Sequence, residues 1–191
     1  MAKESKTKYA ILGVLSLRPR SGYDIKKFCD DSIAHFWSEN YGHIYPVLKQ
    51  LEQDEWVEKT TEINENKLRN VYTITELGKQ MLIEWLSVTP DIPQARYEFL
   101  LKMFFSQYIS TDIVIERLQK SIEFCKEMKA QYEGIESRAK DKLDDDKYCD
   151  SGLSYRYLTV RYGILNLEST IRWCEESISI VKSIKIKEEL Q

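Results

Sequence analysis

Between residues 164 and 181 apolar side chains recur at alternating steps of three and four: Ile164, Leu167, Ile171, Cys174, Ile178 and Val181. That spacing lays one continuous stripe along a helix, the heptad seam of a coiled coil. A helix carrying such a stripe must lay it against another helix, and a candidate lies just upstream. Residues 111–143, opened by Ser110 or Thr111 as caps, place Leu118, Ile122, Cys125, Tyr132, Ile135, Ala139 and Leu143 at apolar positions of a long helix. The run Asp144-Asp145-Asp146 opposes the dipole at a helix C-terminus and therefore marks a connection. The last helix is expected over about residues 152–185. Two long antiparallel helices joined by a short loop form a hairpin rather than a closed bundle. Apolar surface along it calls for a partner, which a two-fold dimer supplies most simply. The expected dimer interface is Leu118, Ile122, Ile164, Leu167, Ile171, Cys174, Ile178 and Val181.

The N-terminal half is organised differently. A helix is expected from about Lys8 to Leu17, capped by Thr7 and stopped at Arg18-Pro19-Arg20. Ser21 caps a second, with Tyr23, Ile25 and Phe28. A third begins after Ser38 or Asn40 and runs to about Gln53, burying Ile44, Val47, Leu48 and Leu51. Two extended stretches follow, Trp56–Ile63 and Arg69–Ile74, with turn residues Asn64-Glu65-Asn66-Lys67 between them. Thr75 then caps a helix to about Ser87, with Leu77, Met81, Leu82, Trp85 and Leu86 as its apolar face. Val88-Thr89-Pro90-Asp91-Ile92-Pro93 breaks the pattern, because each proline disfavours helix at the residue before it. The chain therefore divides into residues 1–88 and 89–191, the second opening with a helix over about residues 94–107. The fold expected is mainly α with a small β-hairpin wing: an N-terminal winged helix-turn-helix and a C-terminal antiparallel helical dimerisation domain.

Composition excludes several functions. The only histidines are His35 and His43, and neither stands at metal-ligand or triad spacing from a cysteine or carboxylate. With no phosphate-cradling glycine loop either, neither an enzyme nor a cofactor nor a bound metal is expected. Cys29, Cys125, Cys149 and Cys174 form no CxxC pair and read as reduced thiols. No cleavage pattern follows the apolar run Tyr9–Leu17 and no run is long enough to span a bilayer, so a cytoplasmic protein without membrane contact is expected. Lys and Arg number 28 against 31 Asp and Glu. Residues 1–86 hold 12 basic and 13 acidic side chains, so neither half is basic overall. Any hold on nucleic acid must rest on a few placed groups rather than on bulk attraction.

Four ordered motifs resemble the PadR family of transcriptional regulators. They are Tyr9-Ala10-Ile11-Leu12-Gly13-Val14-Leu15 with Pro19-Arg20-Ser21-Gly22-Tyr23-Asp24-Ile25; Gly42-His43-Ile44-Tyr45-Pro46-Val47-Leu48-Lys49-Gln50-Leu51-Glu52; Arg69-Asn70-Val71-Tyr72-Thr73-Ile74-Thr75-Glu76-Leu77-Gly78; and Arg96-Tyr97-Glu98-Phe99-Leu100-Leu101-Lys102-Met103-Phe104-Phe105. The last resembles the branch with a long C-terminal dimerisation domain, which includes phenolic-acid-responsive repressors and a virulence activator. One departure stands out: Glu55 occupies the place where the family commonly carries the glycine that ends the third helix.

The resemblance implies a dimeric, sequence-specific DNA-binding regulator on a pseudo-palindromic double-stranded operator, a repressor released by a small aromatic effector. The alternatives are an activator working with a partner regulator and a winged-helix protein-interaction module. A recognition helix presents its first residues to the major groove, here Ser38, Asn40, Tyr41, Gly42, His43 and Tyr45. The family motif places Tyr45 and Lys49 near the DNA backbone. Ser21, Gly22 and Tyr23 start the supporting helix, whose free N–H groups suit a phosphate. Lys8 at the N-terminus and Lys67 and Arg69 on the wing complete the expected DNA-binding set. In the phenolic-acid branch the effector lies between the two domains, which makes His43 and Tyr97 the candidates for it.

Overall fold

The computed structural model describes residues 6–34, 36–37, 44–64, 67–90, 96–143 and 151–189. The chain forms two compact units, Met1–Pro93 and Gln94–Gln191.

The first unit opens with α1, Thr7–Leu15, which buries Ile11, Leu12, Val14 and Leu15. Lys6 stands at the N-cap with no side-chain bond, and Thr7 lies inside the helix and is buried. Thr7 therefore packs instead of capping, and the helix stops two residues before Leu17. Strand β1, Arg20–Ser21, leads directly into α2, Gly22–Ser32, and then comes α3, Ile44–Gln53. Residues 38–43, where the third helix was expected to begin, lie outside the described residues. Ile44, Leu48 and Leu51 of α3 are buried, and Pro46 sits in its first turn, where a missing N–H costs no helical bond.

Strands β2, Val57–Asn64, and β3, Lys67–Ile74, pair antiparallel from Val57↔Ile74 to Asn64↔Lys67. The sheet has three strands in the order β1-β3-β2, because Arg20 pairs with Tyr72 and Ser21 with Val71. The expected two-stranded wing is thus a three-stranded sheet. Two residues are too few for alternation to show, so Arg18-Pro19-Arg20 reads only as a helix stop.

Between α3 and β2, Glu55 has φ 60°, the left-handed conformation. The Trp56 N–H donates to the Leu51 carbonyl at 2.9 Å, closing the helix end around it. The turn that glycine makes elsewhere is therefore made here, by a residue whose Cβ opposes it. Helix α4, Glu76–Ser87, is capped by Thr75, whose Oγ1 accepts from the Gly78 N–H at 3.0 Å. Of its expected apolar face only Leu82 is buried; Leu77 and Leu86 are exposed, and Trp85 stacks on Tyr9 with ring centroids 4.7 Å apart.

The second unit contains α5, Glu98–Phe104, a short 3-10 turn, Ser106–Tyr108, and two long helices, α6, Thr111–Leu143, and α7, Ser151–Glu189. The helix expected up to Gln107 ends early, at Phe104. The acidic connection at residues 144–146 lies outside the described residues. Part of the heptad seam is closed within the chain, between α6 and α7, while Ile122, Leu167, Ile171, Ile178 and Val181 stay half-buried. Leu118 and Cys174 pack with Val114, joined by Ile122, Ile178 and Val181. Ile164 packs with Tyr132 and Val160, joined by Leu167. Leu118, Ile164 and Cys174 are at most 1% exposed, so they have no surface left for a second copy. The reason is geometric: an antiparallel neighbour in the same chain takes the stripe first. What remains open in this unit is another set of apolar side chains, including Leu101, Phe104 and Tyr108.

Candidate nucleic-acid interface

The start of α2 is a capping box. Ser21 Oγ accepts from the Asp24 N–H, and the Ser21 N–H donates to Asp24 Oδ2, both at 3.3 Å. These bonds occupy two of the N–H groups that a helix start leaves without partners. Gly22 and Tyr23 carry the next two, at a position that suits an external anion. The Asp24 carboxylate beside them weakens that attraction, which the sequence spacing did not reveal.

Gly22 is there for a contact. A Cβ on it would lie 2.7 Å from Tyr45 Cε1, so only glycine lets the Tyr45 ring rest on the start of α2. That contact leaves Tyr45 62% exposed, which makes it a surface group on the first turn of α3 rather than a core residue. Lys49, one turn further along α3, is exposed as well.

The wing closes the other side. A groove of about 390 Å³ is lined by Ser21 at the N-cap of α2, Gly22 and Tyr23 of α2, Tyr45 of α3, and Leu68 and Arg69 of β3. Five residues expected at the interface, Ser21, Gly22, Tyr23, Tyr45 and Arg69, are thereby brought to one place. Tyr72 also lines it, and burial, followed by Glu52 and Tyr45, raises the pKa of its hydroxyl, which stays protonated. Leu68, 78% exposed beside the wing turn, is a lining residue that sequence reasoning missed; an apolar residue in a strand gives no sign of which face it takes.

Arg69 is not free to reach outward. Its Nη2 donates to Ser21 Oγ at 3.0 Å and to Asp24 Oδ2, tying β3 to the α2 capping box. Lys8 is placed elsewhere: its ammonium lies 4.8 Å from the Trp56 ring centroid and 4.9 Å from that of Tyr9, and it does not line the groove. The backbone of Lys67 is in β3. Ser38, Asn40, Tyr41, Gly42 and His43 lie outside the described residues. Tyr97 is in the second unit, at the N-cap of α5 and 65% exposed.

Comparison with known proteins places this geometry. Residues 11–84 match the transcriptional regulator PadR-like family, and residues 95–182 match the C-terminal module of virulence activator alpha. The negative transcriptional regulator PadR of Bacillus subtilis is 31% identical over 180 residues, 91% of this chain and 96% of that protein. The crystal structure of B. subtilis PadR in complex with operator DNA superposes with a TM-score of 0.81 at 27% identity, covering 93% of this chain and 99% of that one. The same protein in complex with p-coumaric acid gives 0.77 at 26% identity, over 95% and 99%.

Proposed function

The chain belongs to the PadR-like family of transcriptional regulators, and on that premise we propose that it is a homodimeric repressor reading a pseudo-palindromic operator on double-stranded DNA. The observation that carries this is the groove in which the α2 start, the first turn of α3 and the wing meet. A winged helix-turn-helix brings these three parts to one duplex. Ser38, Asn40, Tyr41, Gly42 and His43 precede α3 and are the base-reading candidates. Gly22, Tyr23, Tyr45, Lys49 and Lys67 contact the backbone, and Arg69 sets the position of the wing. Residues 1–88 read DNA and residues 89–191 pair two copies. Pairing uses the open apolar side chains of the second unit and the half-buried seam residues Ile122, Leu167, Ile171, Ile178 and Val181, since Leu118, Ile164 and Cys174 are already buried within the chain. As a regulator acting on the chromosome, the protein works in the cytoplasm.

A phenolic acid of the p-coumaric type is the proposed effector, supported by the B. subtilis complex. It releases the operator by preferring a conformation whose two reading heads are wrongly spaced. His43 and Tyr97 remain its candidate contacts. A gel shift with the DNA upstream of the protein's own gene tests both steps. Retarded DNA that p-coumaric acid frees is the expected result; no retardation of any fragment in a genomic pull-down overturns the DNA reading, and retention at saturating p-coumaric acid overturns the effector. The match of residues 95–182 to a virulence-activator module supports a second reading, activation beside a partner regulator. A promoter fusion whose output falls when the gene is deleted selects that one.

A further inference from the structure

The groove between α2, α3 and the wing is nearly without free charge. Among the described residues the only charged side chains lining it are Asp24 and Arg69, and these are bonded to each other. The pair cancels, so the groove's side chains add no net charge to attract phosphate. What the groove presents instead is uncharged surface: the rings of Tyr23 and Tyr45 and the side chain of Leu68, all three exposed.

Leu68 stands on a defined face. Side chains alternate along a strand, which sets Leu68 with Asn70, Tyr72 and Ile74 on one face of β3. At its inner end this face is core: Ile74 pairs with Val57 and both are buried, and Tyr72 is buried as well. Further out the same face is open, where Asn70 and Leu68 line the groove. A lone exposed leucine is ordinary protein surface. This one shares a groove with two exposed tyrosines carried by two other elements. Its neighbour Arg69 ties the wing to the start of α2, which fixes where the leucine stands.

We propose that Leu68 packs against the minor-groove edge of the operator and disfavours G·C pairs there. The inference rests on the reading of the groove as a DNA interface and adds to it a residue that selects sequence. That reading sets the start of α3 in the major groove. Tyr45, on the first turn of α3, and Leu68, on the wing, both line the groove. A sugar–phosphate strand seated between them divides the two grooves of the duplex, which leaves the leucine on the minor-groove side. There an A·T pair shows only acceptors, whereas guanine adds an N2 amino group. Leucine offers that amino group no acceptor, so under Leu68 it loses its water without a replacement.

The test uses the full-length protein and a DNA fragment that it retards, from upstream of its own gene or from a genomic pull-down. The fragment is amplified once with adenine and once with 2-aminoadenine. The modified base adds an amino group to the minor groove of every A·T pair and keeps the major-groove edge of adenine. Leu68 is exposed, so Leu68→Ala leaves the fold intact. The wild type should bind the aminoadenine fragment about tenfold more weakly than the adenine fragment. Leu68→Ala should bind the adenine fragment about tenfold more weakly than the wild type, and lose less than about twofold more on the modified one. The dependence of affinity on salt should be the same for both proteins, because a leucine neutralises no phosphate. The proposal is overturned if Leu68→Ala binds the adenine fragment as the wild type does, if both proteins lose equally on aminoadenine, or if the salt dependence becomes shallower in Leu68→Ala. Each of these leaves the DNA reading standing, whereas a wild type that retards no fragment at all ends both.

Discussion

Arg69 on β3 holds Asp24 on α2 from 45 residues away in the chain, and the same guanidinium reaches Ser21 at 3.0 Å. The wing and the start of the supporting helix are thereby one assembly. Burial alone would raise the Asp24 pKa, but the hydroxyl and N–H of Ser21 and the charge of Arg69 outweigh it and leave the carboxyl below its ordinary value. A depressed folded-state pKa gives stability that is present above the unfolded value, about 3.9, and is lost as pH falls through the folded one. In urea denaturation the wild type therefore loses more stability on acidification from pH 6 to pH 3 than Asp24→Asn does. Both side chains are about a third exposed, so the difference is small, about 1 kcal/mol or less. Equal pH slopes for the two proteins would disprove the coupling.

Gly22→Ala drives a methyl into the Tyr45 ring, which lies 2.7 Å from where the new carbon must sit. Alanine favours the helix, so global stability changes by less than about 1 kcal/mol. The ring must move, and operator affinity falls about tenfold if Tyr45 contacts the backbone. A variant that binds the operator as the wild type does removes Tyr45 from the interface.

Glu55→Gly places at φ 60° the residue that suits it. A left-handed non-glycine residue costs about 1–2 kcal/mol, partly offset by the greater freedom of glycine in the unfolded chain. The expected result is a stabilisation of about 0.5–1 kcal/mol, seen as a higher urea midpoint at unchanged slope. A lower midpoint would mean that the Glu55 side chain does more for the native state than its backbone costs.

The separation of core from interface in the second unit is open to a paired measurement. Leu118→Ala empties a site that is 0% exposed and should cost about 3 kcal/mol. Phe104→Ser alters a side chain that is 77% exposed; it should leave the hairpin's melting behaviour nearly intact and shift the monomer–dimer equilibrium seen by sedimentation. Unchanged self-association in Phe104→Ser, with loss of it in a folded Leu118→Ala, would return the interface to the seam.

Sequence periodicity located the helices well where one face is buried, as in α3, where Ile44, Leu48 and Leu51 all fall inside. It could not say which surface takes a seam. Ile164, Leu167 and Cys174 mark a helix that needs a partner, and the spacing is the same whether the partner is in the chain or in a second copy. The groove was partly legible, because Gly22, Tyr23 and Tyr45 lie in local motifs. The tie of Arg69 to Ser21 and Asp24 escaped because these partners are distant in sequence, and a wing cation bonded to Asp24 looks the same in one dimension as a wing cation facing solvent. The strand at Arg20 and Ser21 escaped because a two-residue strand has no period.

The part of the seam closed between α6 and α7 also orders events in time. These helices are neighbours in sequence, so their pairing needs only a short loop to close and falls among the fast, unimolecular steps of folding. Joining two copies is a bimolecular step whose extent depends on how much protein the cell contains. In the proposed dimer, a chain whose hairpin is complete before it meets its partner keeps Leu118, Ile164 and Cys174 of that stripe covered while it waits. Its abundance can then set the fraction paired without exposing those side chains to aggregation.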